Sequence, residues 1–186
     1  YENGQIESVG NYEEHREEFP PHKVGIWAEW YEDGSKKLYG GTSWYQNGQK
    51  KFEGNISERI GIRTEWHENG QKLRDRYYDE GNKVGTETSW YPNGEIAEVG
   101  NYKLDKAVGI WTKFYPNGQK YEEGVMDGFA KIGVWTIWHE NGLKLGQGAY
   151  KGGMIPSGKW TIWHENGQKK SEGPYIYDTL ATPPLI

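Results

Sequence analysis

The chain has no cysteine, only two methionines and four phenylalanines, and no stretch near the ~18 apolar residues that a membrane helix needs. Without cysteine there is no disulfide scaffold, no thiolate metal site and no cysteine nucleophile. No charged-then-apolar leader of the secretory kind is visible. Long blocks of one charge are missing too: 22 Lys and Arg are interspersed with 27 Asp and Glu, for a net charge of -5. That balance provides no electrostatic footprint for nucleic acid and argues against an anionic membrane surface.

Aliphatic residues are scarce as well. The hydrophobic fraction is 34% and the mean hydropathy -0.99, values that suit a disordered chain when the apolar residues are scattered aliphatics. Here they are rings. Ten Trp and fourteen Tyr stand beside 27 Gly across 186 residues, which predicts a turn-rich β-protein held by large amphipathic side chains.

Asn-Gly or Asp-Gly recurs at Asn3-Gly4, Asp33-Gly34, Asn47-Gly48, Asn69-Gly70, Asn93-Gly94, Asn117-Gly118, Asn141-Gly142 and Asn166-Gly167. From Gly70 onward the steps are 24, 24, 24 and 25 residues, the signature of a repeat array. Asn and Gly tolerate the positive φ of a type I′ turn best, so each pair is predicted to close a hairpin with a two-residue loop. Nine residues before the turn glycine stands a second glycine (Gly25, Gly61, Gly85, Gly109, Gly133, Gly158), and eight residues after it an aromatic is usual (Tyr12, Tyr78, Tyr102, Tyr150, Tyr175). Two units depart in length. The connector holding Glu13, Glu14, Glu17 and Glu18 is an acidic insertion, and only 14 residues separate Gly34 from Gly48, so Gly40-Gly41 is expected to make a tight return.

A two-residue loop gives cross-strand partners a constant sum of residue numbers. Trp27 then faces Gly40, Trp111 faces Gly124, Trp135 faces Gly148 and Trp160 faces Gly173. Tyr78, Tyr102, Tyr150 and Tyr175 face Gly61, Gly85, Gly133 and Gly158, so rings are expected to lie over bare backbone. Arg63 opposite Arg76 and Glu87 opposite Gly100 break the pattern. A second Trp column (Trp30, Trp44, Trp66, Trp90, Trp138, Trp163) falls opposite Lys37, Lys51, Leu73, Ala97, Leu145 and Lys170. These readings predict an all-β fold, an elongated, twisted antiparallel sheet of about seven hairpins over residues 1–178 followed by a tail, 179–186. About fourteen strands at ~4.8 Å spacing give a length of ~65 Å.

The pattern G-x-W-x-x-[WF]-[YH]-x-N-G-[QEL]-x-x-x-x-G-x-Y, read in Gly109-Ile110-Trp111 through Phe114-Tyr115-Pro116-Asn117-Gly118-Gln119 and again from Gly133 to Tyr150, resembles the bacterial variant of the MORN repeat. The specificity lies in eight registered copies covering nearly the whole chain. The resemblance implies an antiparallel hairpin scaffold or binding module, with antitoxin-like and immunity-like proteins among bacterial members, and it carries no catalytic residues. A weaker likeness is to aromatic cell-wall-binding repeats, whose units usually lack this Asn-Gly spacing.

Candidate sites follow from what the repeat leaves over. His67, His139 and His164 occupy the position of Tyr31, Tyr45, Tyr91 and Tyr115, so their spacing follows repeat register and no metal motif. No carboxylate pair, nucleophile elbow or phosphate-binding loop stands out, and neither enzyme activity nor a cofactor is expected. The second Trp column lacks glycine partners and is rimmed by lysine, the composition of a protein interface. The expected partner-binding residues are therefore Trp30, Trp44, Trp66, Trp90, Trp138 and Trp163, with Arg63, Arg76 and the acidic Glu13, Glu14, Glu17 and Glu18. The leading expectation is a non-enzymatic scaffold binding a protein partner, an antitoxin or immunity protein facing a toxin. A carbohydrate-binding module using its Trp rows and a membrane-associated scaffold are the rival readings. Open sheet edges also predict self-association. Because the chain opens mid-motif at Tyr1-Glu2-Asn3-Gly4, the true N-terminus is expected upstream; a cytoplasmic location is the one expected.

Overall fold

A computed structural model describes residues 1–3, 5–13, 22–39, 41–54, 60–153 and 156–174, with side chains excepted at 11–13, 22–27, 38 and 39. Gly4, Glu14, Glu17, Glu18, Gly40, Tyr175 and the tail 179–186 lie outside the described residues, as do the side chains of Glu13 and Trp27. Every regular element described is a strand, and the chain divides into two compact units.

The first unit, Tyr1–Gly94, contains β1 (Ser8–Glu13), β2 (His22–Trp30), β3 (Lys36–Tyr39), β4 (Thr42–Trp44), β5 (Lys50–Glu53), β6 (Gly61–Trp66), β7 (Lys72–Asp79) and β8 (Asn82–Trp90). The second, Glu95–Ile186, contains β9 (Ile96–Lys103), β10 (Lys106–Phe114), β11 (Lys120–Gly128), β12 (Ala130–Trp138), β13 (Lys144–Gly153), β14 (Pro156–Trp163) and β15 (Lys169–Pro174). Within each unit every strand pairs antiparallel with its neighbour in sequence, so the fold is the all-β sheet of hairpins that the repeat predicts. The trimmed unit returns as expected, with Tyr39 opposite Thr42 and Gly41 at φ 83°.

The Asn-Gly loops differ from the predicted type I′ turns. Only the glycine takes positive φ, between 80° and 89° from Gly34 to Gly167, and the preceding Asn or Asp does not. In the loop Pro116-Asn117-Gly118, the Gly118 N–H donates to the Tyr115 carbonyl (2.9 Å) and the Tyr115 N–H to the Gln119 carbonyl (2.8 Å). This is a three-residue loop, a type I turn followed by a left-handed glycine. Asn117 uses its side chain instead of its backbone: Oδ1 accepts the Gln119 N–H (2.9 Å) and Nδ2 donates to the Glu140 carbonyl (3.0 Å).

The extra loop residue is absorbed one step into the next strand, where a bulge skips Tyr121 between the pairs Phe114↔Lys120 and Lys113↔Glu122. Beyond the bulge the constant-sum register holds: Trp111↔Gly124, Trp135↔Gly148, Trp160↔Gly173, Tyr78↔Gly61, Tyr150↔Gly133 and Arg63↔Arg76. Before it, the second Trp column is displaced by one. Trp30, Trp44, Trp66, Trp138 and Trp163 face Lys36, Lys50, Lys72, Lys144 and Lys169, and not Lys37, Lys51, Leu73, Leu145 and Lys170. The type I′ conformation appears instead at the opposite hairpin ends, in Glu80-Gly81 (φ 49° and 88°) and Leu104-Asp105 (50° and 62°).

Burial is confined to a thin layer. Among the described residues the only buried apolar side chains are Ala28, Trp111, Trp135 and Trp160. The three tryptophans do lie over glycine, but over the glycine one strand back. A Cβ at Gly100 would stand 2.1 Å from the ring of Trp111, one at Gly124 2.1 Å from Trp135 and one at Gly148 2.2 Å from Trp160. Each indole therefore tilts across the connector-side strand pair, away from its hairpin partner, and couples a repeat to the one before it. The expectation that tyrosine rings cover Gly61 and Gly133 is overturned, because nothing lies within 4 Å of a Cβ built at either. Those glycines are set by backbone: Gly133 takes φ 65° where the β11–β12 register slips between Glu123/Val125 and their partners Thr136 and Ile132. Tyr150 wedges edge-on between Trp135 (6.0 Å) and Trp160 (5.6 Å), and Tyr102 meets Trp111 at 5.2 Å, near-perpendicular contacts that add ~1 kcal/mol each to area burial.

Candidate functional site

The second Trp column is half-buried, and most of its rings are engaged by the repeat before. Tyr31, Tyr45 and Tyr115 donate their hydroxyls to the carbonyls of Trp44 (3.0 Å), Trp66 (2.8 Å) and Trp138 (2.8 Å); Tyr1 does the same to Trp30 (2.8 Å). His67 and His139 put Nε2 at 2.9 and 3.2 Å from the carbonyls of Trp90 and Trp163. A carbonyl only accepts, so each of these imidazoles carries its proton on Nε2. Tyr and His interchange here because both place a donor at the far tip of a flat ring.

A lysine covers the face of each next indole. Lys36 lies over Trp44, Lys50 over Trp66, Lys72 over Trp90, Lys120 over Trp138 and Lys144 over Trp163, all 5.5 to 5.9 Å from the ring centroid. Most of these lysines, with Lys169 of the last hairpin, also pair three residues on, as in Lys50–Glu53 (3.0 Å), Lys72–Asp75 (2.6 Å) and Lys120–Glu123 (2.5 Å). One cation–π contact and one ring-tip hydrogen bond contribute ~1 kcal/mol each, so this column couples repeats by ~2 kcal/mol per junction. The Lys120 hydrogen bond draws the Glu123 carboxyl below its usual value; burial opposes this and the Thr112 hydroxyl (3.0 Å) adds to it.

The two departures of the first column prove to be one substitution. Arg76 stands in β7 where later repeats have glycine, and Glu87 in β8 where they have tryptophan; Arg76 Nε meets Glu87 Oε2 at 2.7 Å. An ion pair with side chains only 16% and 10% exposed thus replaces the indole-over-glycine contact. Burial pulls the guanidinium down, but Glu87 and then Glu65 raise it, and the net shift is upward. Arg63 occupies the tryptophan position of β6. Its guanidinium lies 4.4 Å from the ring centroid of Phe52 and 3.5 Å from Glu65, which also takes Arg76 at 3.3 Å. Of the acidic insertion, only the backbone of Glu13 is described, opposite His22.

The second unit holds a small groove of about 250 Å³, lined by Tyr102, Trp111, Met126, Trp135 and Phe129 among others. Phe129 belongs to the tight turn Gly128-Phe129, flanked by the pair Asp127↔Ala130 of β11 and β12, and is 85% exposed. On the groove wall Lys131 lies 4.1 Å from the Trp135 ring and 5.2 Å from Tyr150, ion-paired to Glu122. Ile110 (62%) and Val134 (60%) also stand out to solvent. Sequence reasoning missed Phe129; the signal was a large apolar residue in a turn whose sister turns read Glu80-Gly81 and Leu104-Asp105. Lone exposed apolar residues are ordinary, and Phe129 differs from them in lining a groove together with Tyr102, Trp111 and Trp135.

The family model described as MORN repeat variant matches residues 59–80, 83–104, 107–127 and 156–177. No match is found among curated proteins.

Proposed function

With four matched MORN-variant repeats as the premise, we propose that this chain is a non-enzymatic repeat scaffold of the antitoxin or immunity kind that binds another protein. The observation that carries the reading is Phe129, 85% exposed beside the groove floored by Trp111 and Trp135. A ring that seats in a partner's pocket while the groove receives a side chain in return is the usual anatomy of a binding hot spot. The groove is below the volume of most small-molecule pockets, which favours a protein side chain as its occupant. The carbohydrate alternative draws less support. A sugar needs an open indole face, but Trp111, Trp135 and Trp160 are buried and most second-column rings lie under lysine. The ring tips of Tyr115 and His139 meet carbonyls of the next repeat, and Glu123 is paired with Lys120 along its own strand, so these groups do not converge on one another.

The test is a photo-crosslinking residue placed at Phe129, with Lys51 in the first unit as the control position, in cells of the source organism. A defined protein adduct from position 129 and none from position 51 supports the reading. Equal or absent adducts would overturn it, and a polysaccharide that quenches Trp fluorescence would then favour the carbohydrate alternative.

A further inference from the structure

The face of the first unit that has lost its tryptophan and glycine is not electrically neutral. Among the described residues four cations, Arg63, Arg74, Arg76 and Lys83, gather around two carboxylates, Glu65 and Glu87, an excess of two positive charges in a chain whose net charge is -5. The partnerships within the cluster are unequal. Arg76 holds the closest contacts, at 2.7 Å to Glu87 and 3.3 Å to Glu65, and locks both carboxylates. Arg74 reaches Glu87 only at 3.8 Å, and its Nε is buried with no hydrogen-bond partner among the described residues. Arg63 lies flat on Phe52 and 3.5 Å from Glu65, with its side chain 45% exposed. A buried donor without an acceptor is destabilising, and Arg74, whose side chain is 33% exposed, can turn toward an incoming one.

Arg63 and Arg74 flank Arg76 and Glu65 on paired strands, since Arg63 faces Arg76 and Glu65 faces Arg74. Diagonal neighbours in such a pair are ~7–8 Å apart, a gap that one oxyanion spans when each guanidinium donates to one of its oxygens. The stacking of Arg63 on Phe52 holds its fork in place before binding, so little side-chain entropy remains to be lost. We propose that this arginine face is an oxyanion-binding site, and that its ligand is the side-chain carboxylate of an acidic segment of the bound protein, held between Arg63 and Arg74. The proposal rests on the scaffold reading for the presence of a protein partner and deepens it by naming what the partner presents.

The test uses the full chain labelled with nitrogen-15 and follows the Nε–H signals of its arginines. Three probes are added in turn: a short Glu-rich peptide, its Gln counterpart of equal length, and inorganic phosphate. The expected result is a saturable shift of the Arg63 and Arg74 signals, and of the backbone amides of β6 and β7 around them, with the Glu peptide; both are at least tenfold weaker with the Gln peptide, and the amide shifts are lost in the Arg63→Gln/Arg74→Gln double variant. That variant keeps the Arg76–Glu87 pair, and its amide spectrum checks that the fold survives. Because the chain as a whole repels anions, a response confined to these two residues and the amides around them reports the local site. No shift with the Glu peptide, or β6 and β7 amide shifts that persist in the double variant, overturns the proposal. A response to phosphate alone overturns the assignment to a partner carboxylate. The two readings fail separately: adducts at Phe129 with a flat peptide titration remove only the arginine site, whereas peptide binding without adducts removes the Phe129 reading.

Discussion

The indole of Trp135 lies over the backbone of Gly124, one strand back, while Gly148, its hairpin partner, lies beneath Trp160. Pairing and covering are thus different relationships. The last glycine of the column separates them, because Gly173 is paired with Trp160 and yet has nothing within 4 Å of its Cβ direction among the described residues.

Gly124→Ala is therefore expected to destabilise the protein by ~1–3 kcal/mol, since the new methyl would stand 2.1 Å from the buried Trp135 ring and force it to move. Gly173→Ala should change stability by less than ~0.5 kcal/mol. Urea unfolding followed by Trp fluorescence measures both. Equal costs at the two positions would show that hairpin pairing, and not the ring one strand back, sets the requirement for glycine.

The Arg76–Glu87 pair predicts a strongly coupled swap. Arg76→Gly alone leaves Glu87 nearly buried without its closest cation and should cost ~2–4 kcal/mol. Glu87→Trp alone brings an indole against the arginine and should also destabilise. Together, Arg76→Gly and Glu87→Trp recreate the contact seen at Gly124 and Trp135, so the double variant should recover most of the loss. A double-mutant cycle with a coupling above ~1 kcal/mol is the expected outcome, and simple additivity would sink the equivalence of the two arrangements.

These relationships mark where the sequence was readable. Strand existence, hairpin order and the pairs Trp111↔Gly124 and Trp135↔Gly148 were legible because a 24-residue period multiplies a weak signal. The turn type was not. Asn117 favours a positive-φ loop by propensity, yet its side chain satisfies Gln119 and Glu140 in a type I turn, a contact with the next repeat that no single hairpin reveals. The same blindness affected the glycine column, since one strand can be paired correctly while its rings lean either way. Arg63 and Arg76 stood out as exceptions, but their link to Glu65 and Glu87 needed the neighbouring strand. The lysines over Trp44, Trp66 and Trp138 were displaced by the one-residue bulge after each turn.

Ring tips provide a third test. Tyr115→Phe removes the donor to the Trp138 carbonyl and should cost ~1 kcal/mol, whereas His139→Tyr keeps a donor at the equivalent place and should cost less than half of that. His139→Phe should behave like Tyr115→Phe. If His139→Phe and His139→Tyr were equally tolerated, the hydrogen bond to Trp163 would carry no stability and ring packing alone would explain the position.

The acid response of the last hairpin follows from Glu172, whose carboxyl is drawn from 4.5 down to about 2 by hydrogen bonds from Lys159, Lys169 and the Thr161 hydroxyl. A carboxylate with a depressed folded-state pKa stabilises the fold above its unfolded value, and that contribution is lost as pH falls through the folded one. The window for Glu172 is therefore from about 4.5 to about 2. The group is at the surface, so salt weakens the effect and the sharper readout is the titration itself. Carbon-13 shifts of the Glu172 carboxyl should show a midpoint near 2 at low ionic strength, rising toward 4.5 in the Lys159→Met/Lys169→Met variant and on adding salt. A wild-type midpoint already near 4.5, or one that ignores both lysines, would mean that these long side chains spend most of their time in water and do not hold the β14–β15 edge.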